Sequence, residues 1–417
     1  PMSTPVGGDE TQAPQSRFAG ITAALRYPDI RTLFISTFAN QFGQGTSHVI
    51  IGWLVLDMTG SALLVGAAFA VRSAPNLIVG LAAGPITDRY DRRILMKIAV
   101  IGLMLTALTL SGLVYFDVIT ISNLLCGVFF LGAFQAMYMT ARQAYVYDIV
   151  GANRAISGLA LIGLAQRISQ LIGALLAGTT ILHIGGSGPF LAMAIGYLIG
   201  LTCIFMLVEV GDSAPDRQET IVENLINYFK ALRSNRLLLS LMISTAGAEI
   251  LGFSHAVILP ILALQVLDVG PEGLGLLTAS RFVGATVGIA GLAIAGDVKR
   301  PGALLLTTMF FFGISQIVLG YAQTFWVAVT LVAIVNIMAT MSDVLHQSLL
   351  QLSVSNEQRG RAMGSWIIGI GTAPIGQGEV GLLAGATDSK TALLINGASL
   401  AILALIMAAL LPKLRKL

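Results

Sequence analysis

The sequence predicts an all-α membrane protein of twelve transmembrane helices in two pseudo-symmetric six-helix bundles. An apolar composition, twelve long apolar runs and basic residues gathered in alternate connections predict it. Of 417 residues, 55% are hydrophobic and 11% charged, and the mean hydropathy is +0.83. Soluble and disordered chains lie far from these values, so the bilayer is the expected solvent. The 46 glycines suit packed transmembrane helices, whose backbones approach closely through small residues. Cys126 and Cys203 both fall inside apolar runs, which leaves neither a disulfide framework nor a thiolate metal site.

A helix needs about 20 apolar residues to cross the hydrocarbon layer. Runs of that kind cover 31–56, 62–86, 93–114, 119–143, 155–182, 187–209, 237–265, 272–296, 302–321, 325–352, 361–386 and 390–411. The first is read as a span and not a cleaved leader, because about 30 polar residues precede it and spans continue after it. Cytoplasmic loops collect Lys and Arg, which tests this parse independently. Twenty of the 24 basic residues fall in the amino-terminal segment, the even-numbered connections with the span ends that adjoin them, and the tail, and Lys390 stands alone on the other side. Arg72, Arg167 and Arg281 lie within spans. A multi-pass protein of the plasma (inner) membrane with both termini cytoplasmic is expected.

The chain thus divides into a cytoplasmic segment (1–30), a first bundle (31–209), a cytoplasmic linker (210–236), a second bundle (237–412) and a tail (413–417). Within the linker, Ile221, Leu225, Phe229 and Leu232 recur at helical spacing opposite Glu219, Glu223 and Lys230, predicting an amphipathic surface helix. Two parallel six-span halves should leave an internal repeat. Arg72 precedes Asp88 by sixteen residues, Arg281 precedes Asp297 by sixteen, and the two copies are offset by 209. A basic turn follows each Asp: Arg89, Arg92 and Arg93 in one copy, Lys299 and Arg300 in the other.

The segment Gly84-Pro85-Ile86-Thr87-Asp88-Arg89-Tyr90-Asp91-Arg92-Arg93 resembles the loop motif after the second span of the major facilitator superfamily. Thr59-Gly60-Ser61-Ala62, Ala141-Arg142-Gln143-Ala144, and Gln351 with Arg359-Gly360-Arg361 resemble, more narrowly, its enterobactin-exporter and multidrug-efflux branch. Three positions depart from the family pattern. Asp91 stands for a Gly, Ala293 and Val298 replace the Gly and Arg of the second copy, and Ala174 replaces the Pro of a span-5 antiporter motif. The resemblance implies a gating latch at Gly84, Asp88, Arg89, Arg92 and Arg93, with Asp297, Lys299 and Arg300 as its repeat. Physically, Asp88 can accept charge-assisted hydrogen bonds from Arg92 or Arg93.

Ionised groups at the centre of a span cost about 2.5 to 3.5 kcal/mol even on the lenient insertion scale, so each is a candidate functional residue. Arg72, Arg167, Glu249, Arg281, Asp343 and Glu379 interrupt apolar runs, while spans 3, 6, 9 and 12 carry no central charge, as expected of lipid-facing helices. Arg72 and Arg281 are placed to face each other and attract an anion or a carboxylate. Glu249, Glu379 and Asp343 are the proton-coupling candidates, since a carboxyl in a low-dielectric interior can take up a proton near neutral pH. Arg167, among Gln166, Ser169 and Gln170, reads as part of a packing network. Asn40, Gln41, Gln44 and His48 form a polar stripe along span 1. His48 and His255 read as packing residues before proton relays, and the three tryptophans as packing or interfacial groups.

No nucleotide loop, dinucleotide fingerprint or metal-ligand spacing appears, so neither an enzyme nor a cofactor is expected. The expected partners are a small-molecule substrate, protons and the bilayer, without nucleic acid, and the chain is expected to be a monomer. The favoured reading is a secondary transporter exporting amphipathic organic compounds by alternating access, powered by protons. Two alternatives stay open: an anion carrier or exchanger built on Arg72 and Arg281, and a receptor or scaffold on a transporter fold.

Overall fold

The computed structural model describes residues 27–150, 155–208, 235–296, 298–352, 366 and 368–416, without the side chains of 78–89, 155–157, 413 and 416. Six helices form the first half: α1 (Pro28–Thr59), α2 (Ala62–Arg89), α3 (Arg92–Tyr115), α4 (Ile121–Val150), α5 (Ala155–Ile184) and α6 (Ser187–Phe205). The second half holds α7 (Arg236–Val266), α8 (Gly270–Ala295), α9 (Pro301–Leu319), α10 (Phe325–Leu352), α11 (Ala373–Ala386) and α12 (Ser389–Leu410), followed by a short α13 (Pro412–Lys416). Among the described residues, nine of these helices have the length and hydropathy of bilayer spans. The other three are α1, diluted by its polar stripe, α2 and α11.

Local chemistry sets the helix ends. Gly60 closes α1 with φ of 63°, a left-handed cap that favours glycine, and its N–H donates to Leu56 O at 2.7 Å. Asp91, the departure from the family pattern, caps α3 by accepting from the Arg93 N–H at 2.8 Å. Asn235 caps α7 by accepting from the N–H groups of Leu237 and Leu238.

Two spans differ from the continuous helices the sequence predicts. The π-helical segment Ala248–Gly252, the 3₁₀ turn Phe253–Val257 and the π-helical segment Leu262–Val266 interrupt α7. Pro260 lacks the N–H that a regular α-helix would use there, and Gly252 loosens the turn before it. A turn at Gly371 and Thr372 breaks the eleventh span, just before Pro374 in the first turn of α11. The tail is also not free. Leu414 is fully buried, and its carbonyl lies against Gly302 at the start of α9. The linker 210–234, with its expected amphipathic helix, lies outside the described residues, as does Asp297.

Packing repeats between the halves. In the first, α1 lies on α5 and α6, α2 on α4, and α3 on α4 and α6. In the second, α7 lies on α11 and α12, α8 on α10, and α9 on α10 and α12, the same pairing six helices later. The outer helices expose apolar stripes. Ile94, Ile98, Ile101, Leu105 and Leu108 line one face of α3, and Ile395, Ile402, Leu405 and Ile406 one face of α12. Such faces bury nothing within the chain and suit contact with acyl chains.

Between the halves, α2 crosses α11 and α5 crosses α8. Both crossings occur at the end where Gly60 joins α1 to α2, here the Gly60 end. A Cβ at Gly66 would stand 2.6 Å from Gln377 O and 2.7 Å from Gly381 Cα. A Cβ at Gly275 would stand 2.8 Å from Ala174 O and 3.5 Å from Gly178 Cα. Gly66 and Gly275 are repeat mates, again 209 apart. Backbone meets backbone at both places, which only small residues allow.

Two expectations follow. Gly66→Val should force α2 from α11, and spin labels at Leu63 and Thr387 should report a longer distance in the variant; an unchanged distance distribution would count against this crossing. Asp91→Ala should cost about 1 kcal/mol of stability, read by thermal unfolding in detergent, with Asp91→Asn retaining most of the cap. The Arg93 side chain holds the Asp91 carboxyl below the usual carboxylate range. Its stabilisation is therefore present above the unfolded-state value, and the gap to Asp91→Ala should close as pH falls through the depressed folded value.

Candidate functional site

The ionisable groups of the spans gather where the two halves meet, in two tiers. Arg72 lies ten residues into α2 and Arg281 eleven into α8, while His48 lies eleven before the end of α1. At 1.5 Å per residue these groups sit roughly 15 to 17 Å from the Gly60 end. Arg167 lies seventeen residues before the end of α5, Asp343 eighteen into α10, and Glu249 seventeen before the end of α7. This second tier is roughly 26 Å from the same end.

Each tier joins both halves. In the first, Arg72 Nη2 donates to Ser47 Oγ at 2.9 Å, and the Ser47 hydroxyl donates to Gln44 O at 2.9 Å. That chain fixes the guanidinium of α2 on α1. Arg281 lies within electrostatic reach of Arg72 and of Arg167, and both Arg72 and Arg281 lie within reach of His48. Among the described residues, Nε of Arg72, Nε of Arg281, Nδ1 of His48 and Oε1 of Gln44 have no hydrogen-bond partner. His48 stacks on Phe69, ring centroids 5.9 Å apart and planes 19° from parallel. In the second tier, Asp343 Oδ1 accepts from Trp366 Nε1 at 3.1 Å, and its charge faces Arg167 across the halves. Glu249 lies within reach of Asp343, on the π-helical turn of α7 that opens the regular ladder.

Other polar residues singled out by the sequence lie elsewhere. Asn40 is fully buried, donates to Ser36 O at 3.0 Å and packs on Gly200 of α6, so the stripe on α1 splits between packing and site. Gln41 accepts from Gln135 and Gln170, each at 3.4 Å. Gln166 accepts from Arg142 at 2.9 Å, and Ser169 bonds to Phe38 O. The neighbours of Arg167 thus form the packing network that the sequence suggests, while Arg167 itself faces the second half. His255 donates from Nδ1 to Gly252 O at 2.8 Å and accepts at Nε2 from Asn336 at 3.2 Å, tying α7 to α10. His346 is fixed to Ser244 at 2.6 Å. Glu379 accepts from Asn396 at 3.0 Å, which also donates to Ser254 at 3.2 Å, so this carboxyl belongs to a knot of α7, α11 and α12 and not to the arginines.

At the opposite end, the basic turn takes partners within its own half. Arg92 forms an ion pair with Asp148 at the end of α4, and Arg93 pairs with Asp91 at 2.9 Å while donating to Val208 O at 3.1 Å. Asp29, fully enclosed there, accepts from Tyr145 Oη and the Val208 N–H, each at 3.0 Å. The side chains of Asp88 and Arg89 and the surroundings of Gly84 lie outside the described residues. Lys299 and Arg300 are exposed.

Sequence reasoning missed Ser47 and Trp366 as site residues, and Asp148 and Asp29 as partners of the basic end. Asp148 had a topological signal, an acid at the end of a span that returns to the basic side. Ser47 had none, because a serine beside a polar stripe is common in spans. Among the described residues no cluster of His, Cys, Asp and Glu is arranged to hold a metal.

Comparison with known proteins agrees with this architecture. The chain is 25% identical over 350 residues to the staphyloferrin A transporter of Staphylococcus aureus, covering 82% of this chain and 86% of that protein. It is 24% identical over 409 residues to the enterobactin exporter EntS of Citrobacter koseri, covering 96% of each. Its fold superposes on a crystal structure of a POT family transporter with a TM-score of 0.75 at 14% identity, covering 92% of this chain and 96% of that one. The sequence model of the Major Facilitator Superfamily matches residues 33–300. The chain is a membrane transporter and not an enzyme: it belongs to the Major Facilitator Superfamily and is most like the siderophore-exporting and efflux branch of that family.

Proposed function

We propose that this transporter exports amphipathic organic compounds by alternating access, coupled to protons through Glu249 and Asp343. One observation carries the coupling: Asp343 of the second half faces Arg167 of the first, with Glu249 within reach of Asp343. A proton taken up by Asp343 removes its attraction for Arg167, so protonation and the approach of the halves are linked in energy. The Trp366 Nε1–H donates to Asp343 Oδ1 and orients that carboxyl. Glu379, bound by Asn396, becomes in this reading a structural group of the second half.

The direction of opening follows from the crossings. The described close approaches between the halves cluster at the Gly60 end, and Gln265 of α7 also donates to Gly60 O there, at 3.4 Å. With the basic connections in the cytoplasm, that end faces outward, and the state described is closed to the outside. The names of the relatives support the export reading and a monomer in the inner membrane fits it.

Vesicles of the purified protein test the coupling. Glu249→Gln should lower pH-gradient-driven flux of an amphipathic organic test panel at least tenfold, with Glu379→Gln within about threefold of wild type, a factor worth under 1 kcal/mol. Full proton-driven flux in Glu249→Gln, at equal protein content, would remove the assignment.

A further inference from the structure

We propose that Arg72 and Arg281 form an oxyanion-binding subsite, and that the exported compound is an amphipathic anion held there by a carboxylate or a similar planar group. This deepens the transport reading above, since it names the charge of the cargo at the same site. Four observations carry it.

First, the charges do not balance. Among the described residues, the guanidiniums of Arg72, Arg167 and Arg281 lie within reach of one another through Arg281, while one carboxyl, that of Asp343, faces Arg167 and a second, that of Glu249, lies within reach of Asp343. Second, neither carboxyl forms an ion pair with Arg72 or Arg281: the ion pairs among the described residues are Arg92 with Asp148 and Arg93 with Asp91. Glu379, on α11, is taken by Asn396. Third, each of the two guanidiniums keeps an unfilled Nε donor, although Arg72 is already fixed by Ser47. Two like charges brought within reach in a low-dielectric interior repel, and an anion between them relieves the repulsion while filling the donors bidentately. Fourth, the stacked rings of His48 and Phe69 stand beside the pair, a flat surface suited to the apolar body of such a compound.

The repeat adds a constraint. Arg72 and Arg281 come one from each half at equivalent depth, so a ligand that bridges them ties the halves together at the first tier. Lysine keeps the charge but loses the planar fork, which separates a bidentate site from simple attraction.

Binding of three isosteric probes to the wild-type protein in nanodiscs, read as thermal stabilisation at one pH, tests the proposal: 1-naphthoate, 1-naphthamide and 1-naphthylmethylammonium. Naphthoate should stabilise at a concentration at least tenfold lower than either of the others. Arg72→Lys and Arg281→Gln should each weaken naphthoate at least tenfold. Equal stabilisation by the amide or the ammonium, stabilisation by none of the three, or unaltered naphthoate binding in both variants would overturn it. Should a variant fail to fold, the wild-type ranking decides alone. No gradient enters the measurement, so loss of the proton-coupling assignment would leave a positive result standing, and intact proton coupling would not rescue a negative one.

Discussion

A guanidinium keeps its proton in the bilayer interior, so Arg72, Arg167 and Arg281 impose a requirement that the rest of the architecture meets. Each must be kept from the acyl chains and set against something that tolerates or uses its charge. The pairing of helices does this by turning α2, α5 and α8 toward the meeting of the halves, while α3 and α12 present apolar stripes outward. Ser47 takes one donor of Arg72, Asp343 faces Arg167, and among the described residues Nε of Arg72 and Nε of Arg281 are left over.

The same requirement explains why the glycine crossings matter. Arg72 and Arg281 follow Gly66 and Gly275 by six residues each, so the places where the halves touch lie just under two turns from the two guanidiniums. A contact made of backbone and small residues has little side-chain interlocking to undo, and it can form and part as rigid bundles rock. The basic end is built differently. Arg92, Arg93, Asp148, Asp91 and Asp29 knit α1, α3, α4 and the chain after α6 to one another.

Irregular backbone is concentrated in the second half. The π-helical turn that carries Glu249 has no equivalent in the unbroken α1 (Pro28–Thr59), the repeat mate of α7, and the break before Pro374 has none in the unbroken α5 (Ala155–Ile184), the repeat mate of α11. The two bundles are therefore alike in packing and unlike in chemistry: the first supplies Arg72, Arg167 and His48, the second both acidic groups together with Arg281. An acidic pair in one half and a mainly cationic set in the other is a difference that the internal repeat alone does not express.

Much of this was legible without coordinates. Apolar run length and the scatter of Lys and Arg set the spans, because the bilayer admits only helices with satisfied backbones, and the spacing of Arg72 to Asp88 and Arg281 to Asp297 revealed the repeat. The candidate site was legible as a set of misplaced charges, since ionised groups within spans are rare. What the chain order could not decide was which of them meet. Asn40 and His48 are eight residues apart on α1, yet one packs on α6 and the other faces the arginines; Glu379 looked equivalent to Glu249 and went to Asn396 instead. Helical spacing specifies a face, but the neighbour that face meets depends on how distant helices cross. Those crossings are set by small residues on both partners at once, a property of pairs that no single stretch of sequence contains.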